Sequence, residues 1–171
     1  MRLAVVIMDN HLSFRLATPA YLDATLEVYR GVCLWLNDTL GITDQWDREV
    51  AQEEIEELVG SGELYLALTQ DEREVAGAFK LNGRDHHWAD DGTALYVHAL
   101  AVNRQFKGQG IGQAMLDWAA DEGRRRGKQF LRLDCMNENA RLKQVYLDAG
   151  MEPRPQNPQY GWSALFERKL T

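Results

Sequence analysis

Cysteine is nearly absent from this chain: Cys33 and Cys135 are the only two in 171 residues, too few for a disulfide framework. Long apolar runs are missing as well. A membrane-spanning helix needs about 20 consecutive apolar residues, and no stretch approaches that. The run Leu3-Ala4-Val5-Val6-Ile7-Met8 follows Arg2 but leads straight into Asp9-Asn10-His11 with no small-residue cleavage site, so it does not read as a secretory signal. Residues 1–12 are expected to form an extension docked on the body, or an edge strand. Basic charge is scarce too, with 19 Lys and Arg against 26 Asp and Glu and a formal net charge of −7. A nucleic-acid binder usually carries a basic stripe, because counterion release drives that affinity. The one dense basic run, Arg124-Arg125-Arg126 with Lys128, falls at the end of a predicted helix, where cations complement the dipole. Repeats, low-complexity tracts and linkers are also lacking. The expectation is a single cytoplasmic domain over residues 1–171, with neither nucleic acid nor membrane as a partner.

What is present alternates between strand and helix patterns. Phe14–Ala17 reads as a short strand, and Thr18-Pro19 as the start of a helix. Apolar positions from Tyr21 to Leu36 give that helix one buried side, and Gly41 ends it. Asp47 is placed to cap a second helix with Ile55, Leu58 and Val59 inward and Glu53, Glu54, Glu56 and Glu57 outward. Leu64–Thr69 and Val75–Leu81 form a hairpin pattern. The polar segment Asn82–Thr93 is a loop. Ala94–Val102 is a nearly continuous apolar run suited to a central strand. Then come a glycine-rich turn, helix Ile111–Arg126, strand Phe130–Cys135, helix Asn139–Ala149, a Pro-rich connection and a last strand near Trp162–Glu167. The order implies one α/β layered structure.

The turn Lys107-Gly108-Gln109-Gly110-Ile111-Gly112 is the most informative segment. Glycines ahead of a helix let backbone approach a ligand, and the unpaired N–H groups of the helix start favour an anion. A dinucleotide fingerprint would require Gly where Gln113 or Met115 stands, directly after a strand, whereas five residues separate Val102 from Gly108; Asp134 is the one feature in that reading's favour. The Walker spacing fails around Gly123, Gly127 and Lys128, which is one residue short and lacks the Ser or Thr. Glycines serving only a tight turn are the plain structural alternative.

The segment Tyr96–Met151 resembles the GCN5-related N-acetyltransferase (GNAT) superfamily. The Leu100-Ala101-Val102 strand end, the Lys107–Gly112 loop, and Asn139, Leu142, Val145 and Tyr146 ahead of Ala149-Gly150-Met151 stand in that family's register. Lys107 replaces the family's usual Arg or Gln and keeps a positive charge. Met151 replaces its common Phe. The resemblance implies a mixed, mostly antiparallel α/β sheet flanked by helices and splayed at the strand before the loop. It also implies acetyl-CoA as co-substrate. The amides from Lys107 through Gly108, Gln109, Gly110, Ile111 and Gly112 to Gln113 would bind its pyrophosphate. Leu100, Ala101 and Val102 would pair with the pantetheine arm, Asn139 would sit near that arm, and Tyr146 would point at the thioester sulfur.

Chemistry narrows the remaining roles. Attack on a thioester needs a neutral amine, a polarised carbonyl and help for the departing thiolate. Tyr146, ordinarily protonated below about pH 10, can donate to the sulfur. For the base, period 2 puts Tyr96, His98 and Leu100 on one face unless a bulge intervenes, and His98 titrates in the right range. A core histidine is the alternative, and Asp134 and Glu138 are outside candidates. Cys135 reads as a buried small residue. Asp85, His86, His87, Asp90 and Asp91 read as a solvated loop and not a metal site, since adjacent extended side chains diverge. Trp35, Trp46, Trp88 and Trp162 either line an acceptor pocket or pack in the core. The first two helices and the Asn82–Thr93 loop are expected to form the acceptor side. The acceptor is a small-molecule or peptide amine, with the net charge slightly favouring a cationic one. A homodimer, a non-catalytic acyl-CoA-binding module, a longer acyl donor and a hydroxyl acceptor stay open.

Overall fold

The computed structural model describes residues 11–41, 52–89 and 91–170. Trp46, Asp47, Asp90 and all but the end of the expected N-terminal extension lie outside them. The strands are β1 (Ser13–Leu16), β2 (Leu64–Leu68), β3 (Val75–Asn82), β4 (Ala94–Val102), β5 (Phe130–Met136), β6 (Glu152–Arg154) and β7 (Ser163–Lys169). They form one sheet in the order β1-β2-β3-β4-β5-β7-β6. Only β4 and β5 pair in parallel; every other neighbouring pair is antiparallel.

Helices α1 (Leu22–Leu40) and α2 (Gln52–Gly60) cover one face, and α3 (Ile111–Arg125) and α4 (Ala140–Asp148) the other. Leu26, Tyr29 and Cys33 of α1 meet Ile55 and Val59 of α2 over Leu64, Leu66 and Leu68. Across the sheet, Met115, Leu116, Ala119 and Ala120 of α3 pack on Phe79, Leu95, Val97 and Leu131. The splayed, mostly antiparallel sheet is therefore as expected. Thr18-Pro19 opens a 3₁₀ turn, Pro19–Tyr21, that runs directly into α1, and Thr18 makes no side-chain cap. Strand β6 lies in what reads as a Pro-rich connection, because a strand of three exposed residues carries no apolar pattern.

Two irregularities in β4 position the site. Pairing with β5 joins only Ala94–Val97 to Phe130–Leu133, after which β5 continues on β7 alone. From His98 onward β4 therefore has no strand on that side, and a wedge opens between the two. At the same point Ala99 adopts φ +49, and the register against β3 slips between Ala78 and Lys80. This β-bulge inserts one residue and exchanges the faces. Leu95 and Val97 lie in the α3-side core before it, and Leu100 and Val102 pack against that same core after it. Leu100 is thus not on the face of Tyr96 and His98, which corrects the simple period-2 grouping. Tyr29 of α1 donates its hydroxyl to Ala99 O at 2.8 Å and pins the bulge from the opposite core.

Candidate active site

The wedge widens into a cavity of about 1000 Å³. Its walls include Leu100, Ala101 and Val102 of β4, the turn residues Lys107, Gly108, Gly110, Ile111, Gly112 and Gln113, and Asn139 and Tyr146 of α4. His98 and Asp134 line it as well. Of the residues singled out for the donor, only Gln109 is not in the wall; it is exposed, and its N–H is given to Phe106 O at 3.3 Å.

The turn is built from backbone conformations that glycine adopts without cost. Gly108 has φ +74 and Gly110, which precedes the first residue of α3, has φ +77. A Cβ at either would meet nothing within 4 Å, so their smoothness leaves open room above the helix start. The first helical N–H groups of α3 have no intrahelical acceptor, and together with the dipole they form an anion seat. Asn103, which sequence reading passed over, anchors this turn. Its Oδ1 accepts from Gln105 N at 3.1 Å, its Nδ2 donates to Val75 O at 2.9 Å, and its own N–H reaches Ala76 O.

Asn139 lines the cavity and also caps α4, its Oδ1 accepting from Leu142 N at 3.0 Å. Asn139→Ala is expected to lower stability by about 1 kcal/mol, or a melting temperature drop of about 2–4 °C for a chain of this size. A thermal melt without ligand checks this. Tyr146 is buried, with its ring edge-on to Phe166 at 5.6 Å. Burial, with the Cys135 and Asp134 groups adding to it, holds its hydroxyl far above the ordinary tyrosine range. It stays a donor at every physiological pH. Cys135 is buried outside the wall, and burial pushes its thiol up to about 12. It is a packed small residue, as its sequence context suggested. Glu138 is exposed and also outside the wall.

The loop after β3 departs from expectation. Asp85 and His87 are buried, not solvated. The loop folds back on the β6–β7 connection: Asn157 Nδ2 donates to His87 O, and the His87 ring stands edge-on to Tyr160 and Trp162. Nothing in the local sequence signals contacts made seventy residues away. The fold gathers Asp85, His98 and Asp134, whose ligand atoms lie within 4.8 Å of one another, a spacing a metal ion could also occupy.

These contacts fix the tautomer of His98. Its Nε2 faces two acceptors, Asn82 Oδ1 at 3.1 Å and Arg84 O at 3.2 Å. The Asn82 amide is oriented by Nδ2 donating to Glu63 and by Arg84 N donating to Oδ1. In the neutral ring Nε2 therefore carries the hydrogen, and Nδ1 presents its lone pair toward Asp85 Oδ2 at 3.7 Å. Burial holds the imidazole below its ordinary value, with the Asp85 charge opposing. Burial raises the Asp134 carboxyl, although His87 opposes that shift, and Ser163 donates to it at 3.0 Å. His98 also borders a second cavity of about 600 Å³, lined by Asp85, His87 and Trp88 of the same loop.

The remaining tryptophans divide. Trp35 lines the main cavity and Trp88 the second, while Trp162 is 52 % exposed and packs on His87. The basic run at the end of α3 pairs with Asp121 and Glu122, as a structural cluster would.

Comparison with known proteins agrees with this geometry. The model of the Acetyltransferase (GNAT) family matches residues 29–151. The chain is 31 % identical over 145 residues to an uncharacterized N-acetyltransferase, YesJ, of Bacillus subtilis, covering 80 % of this chain and 78 % of that protein. Among solved structures, a GNAT-family acetyltransferase from Listeria monocytogenes superposes with a TM-score of 0.74 at 23 % identity, over 93 % of this chain and 95 % of that one. The structure of yncA from Salmonella typhimurium with its cofactor acetyl-CoA superposes with a TM-score of 0.68 at 18 % identity, over 94 % and 95 %. The chain belongs to the GNAT family of acyltransferases.

Proposed function

We propose that the protein transfers an acetyl group from acetyl-CoA directly to a primary amine in a ternary complex. One observation carries this reading: a single cavity joins a glycine turn at a helix start, an unpaired strand edge, a protonated tyrosine and a histidine. Acetyl-CoA supplies the activated acyl group. Lys107 and the amides of Gly108 and of Gly110 to Gln113 hold its diphosphate, the β4 edge at Leu100, Ala101 and Val102 holds its arm, and Asn139 flanks that arm. His98 Nδ1 takes the proton of the attacking amine as nitrogen bonds to the carbonyl carbon. The C–S bond then breaks, and the Tyr146 hydroxyl donates to the departing sulfur.

The test is a thiol-release assay with acetyl-CoA across an amine panel, alongside thermal melts with CoA esters. Ligand at about 100 times its Kd adds about 2.7 kcal/mol of stability. No shift with any CoA ester would refute the donor assignment. A shift with no release for any acceptor would mean a binding module.

A pH profile tests the base. A base must be unprotonated, and His98 is held below the ordinary imidazole value of about 6.5. At saturating substrates kcat should be flat at pH 7 and fall only as pH drops below that value. In His98→Gln the acid limb should vanish and kcat should drop by about a hundredfold. An acid limb kept in the variant would assign it to another group.

A further inference from the structure

Two arginines line the main cavity without an ion pair among the described residues. Arg104, on the 3₁₀ turn after β4, stacks its guanidinium over Trp35 with Cζ 4.0 Å from the ring centroid. Arg141, in the first turn of α4, approaches the same ring with Cζ at 5.3 Å. Both line the cavity, as does Trp35. Neither forms a salt bridge among the described residues, although Arg15, Arg73, Arg84, Arg124, Arg132, Arg154 and Arg168 all do. In a chain of net charge −7 acidic partners are plentiful, yet this pair, like Lys107 in the same wall, has none among the described residues. Arg141 also sits at the positive end of a helix dipole, where a cation is disfavoured. Burial and the facing Arg141 charge together lower the affinity of Arg104 for its proton.

Arg104 is joined to the glycine turn through its backbone, Lys107 N donating to Arg104 O at 3.3 Å, while its side chain turns toward α1. Arg104 lies along α1, where a Cβ added at Gly31 would touch its Cγ at 4.0 Å. Val32, Trp35 and Leu36 of α1 form that wall of the cavity. The glycine turn instead opens at the start of α3, on the other face of the sheet. The cavity thus has, beside the glycine turn, a cationic pair that is planar in its donors, as carboxylate recognition requires.

We infer that Arg104 and Arg141, steadied by Trp35, bind an anionic group on the acceptor. The inference rests on the acetyl-transfer reading above. It makes the acceptor a primary amine bearing a carboxylate, against the cationic acceptor that net charge suggests. The amine meets His98, and Arg104 lies six residues further along the chain. At about 3.3 Å per residue their backbones stand up to about 20 Å apart. That bound admits an acceptor whose carboxylate is several bonds from the reacting nitrogen, as in an ω-amino acid or a peptide whose acidic side chain follows its N-terminus.

Matched acceptors test this: 6-aminohexanoate against hexylamine, and a peptide with glutamate at positions 2 and 3 against its glutamine counterpart. The anionic member of at least one pair should be preferred by about tenfold or more in kcat/KM, and the pair that responds identifies the source of the carboxylate. Arg104→Gln and Arg141→Gln should each erase that preference through KM for the acceptor, with the melting shift from CoA unchanged. Two results would overturn the inference. One is equal or better use of the neutral members. The other is a loss of CoA affinity in the arginine variants, which would give the pair to the donor's phosphates. Neither touches the acetyl-transfer reading, which fails only if acetyl-CoA gives no shift or no acceptor releases thiol.

Discussion

Tyr146→Phe is expected to lower kcat by about a hundredfold while leaving the KM for acetyl-CoA and the melting temperature unchanged. The hydroxyl makes no hydrogen bond within the described residues, so its removal leaves no partner stranded, and the ring keeps its contact with Phe166. What is lost is donation to the departing sulfur. An ordinary tyrosine near 10 is already a weaker acid than a thiol near about 8.5, and burial widens the gap. Full proton transfer to the thiolate is therefore uphill, and the hydroxyl acts by hydrogen bonding to the charge as it develops. It follows that Tyr146 contributes no basic limb to the pH profile below pH 10. Steady-state kinetics of the variant decide the matter: an unchanged kcat would reduce Tyr146 to a packing residue.

Gly110→Val should weaken acetyl-CoA binding by about fivefold to a hundredfold. At φ +77 a β-branched residue is strained by roughly 1–3 kcal/mol. Relief requires the turn to swing away from the conformation that aims the α3 amides at the cavity. There is open space around the site, so the cost is conformational and not a clash. Titration calorimetry with CoA measures it. Gly161→Ala serves as the control, since that glycine has φ −61 and an added Cβ meets nothing. An unaltered Kd in Gly110→Val would mean that the diphosphate seat does not use this turn.

The glycine-turn half of the candidate site was readable in the sequence because it is local. The glycine turn, the helix it starts, and the spacing from Asn139 to Tyr146 are each set within a few residues. Their physics, left-handed backbone and orphan amides, needs no distant partner. The other half is assembled at long range. Asp85 and His87 look like loop residues until Asn157, Tyr160 and Trp162 cover them. The arginines 104 and 141 acquire meaning only when both are found against the ring of Trp35. The bulge escaped for a different reason. An Ala at positive φ carries no signature in composition, and the pin that holds it there comes from Tyr29, seventy positions earlier.

The extra residue at Ala99 has a further consequence. Deleting it would leave both cores and every motif intact on paper. Yet the end of β4 would be rotated by half a turn, sending Leu100 and Val102 toward α1 and entering the glycine turn from the wrong side. A one-codon deletion there should therefore be worse tolerated than any single substitution in the strand. Among relatives, the length of this strand would be a firmer marker of a working site than the identity of any residue within it.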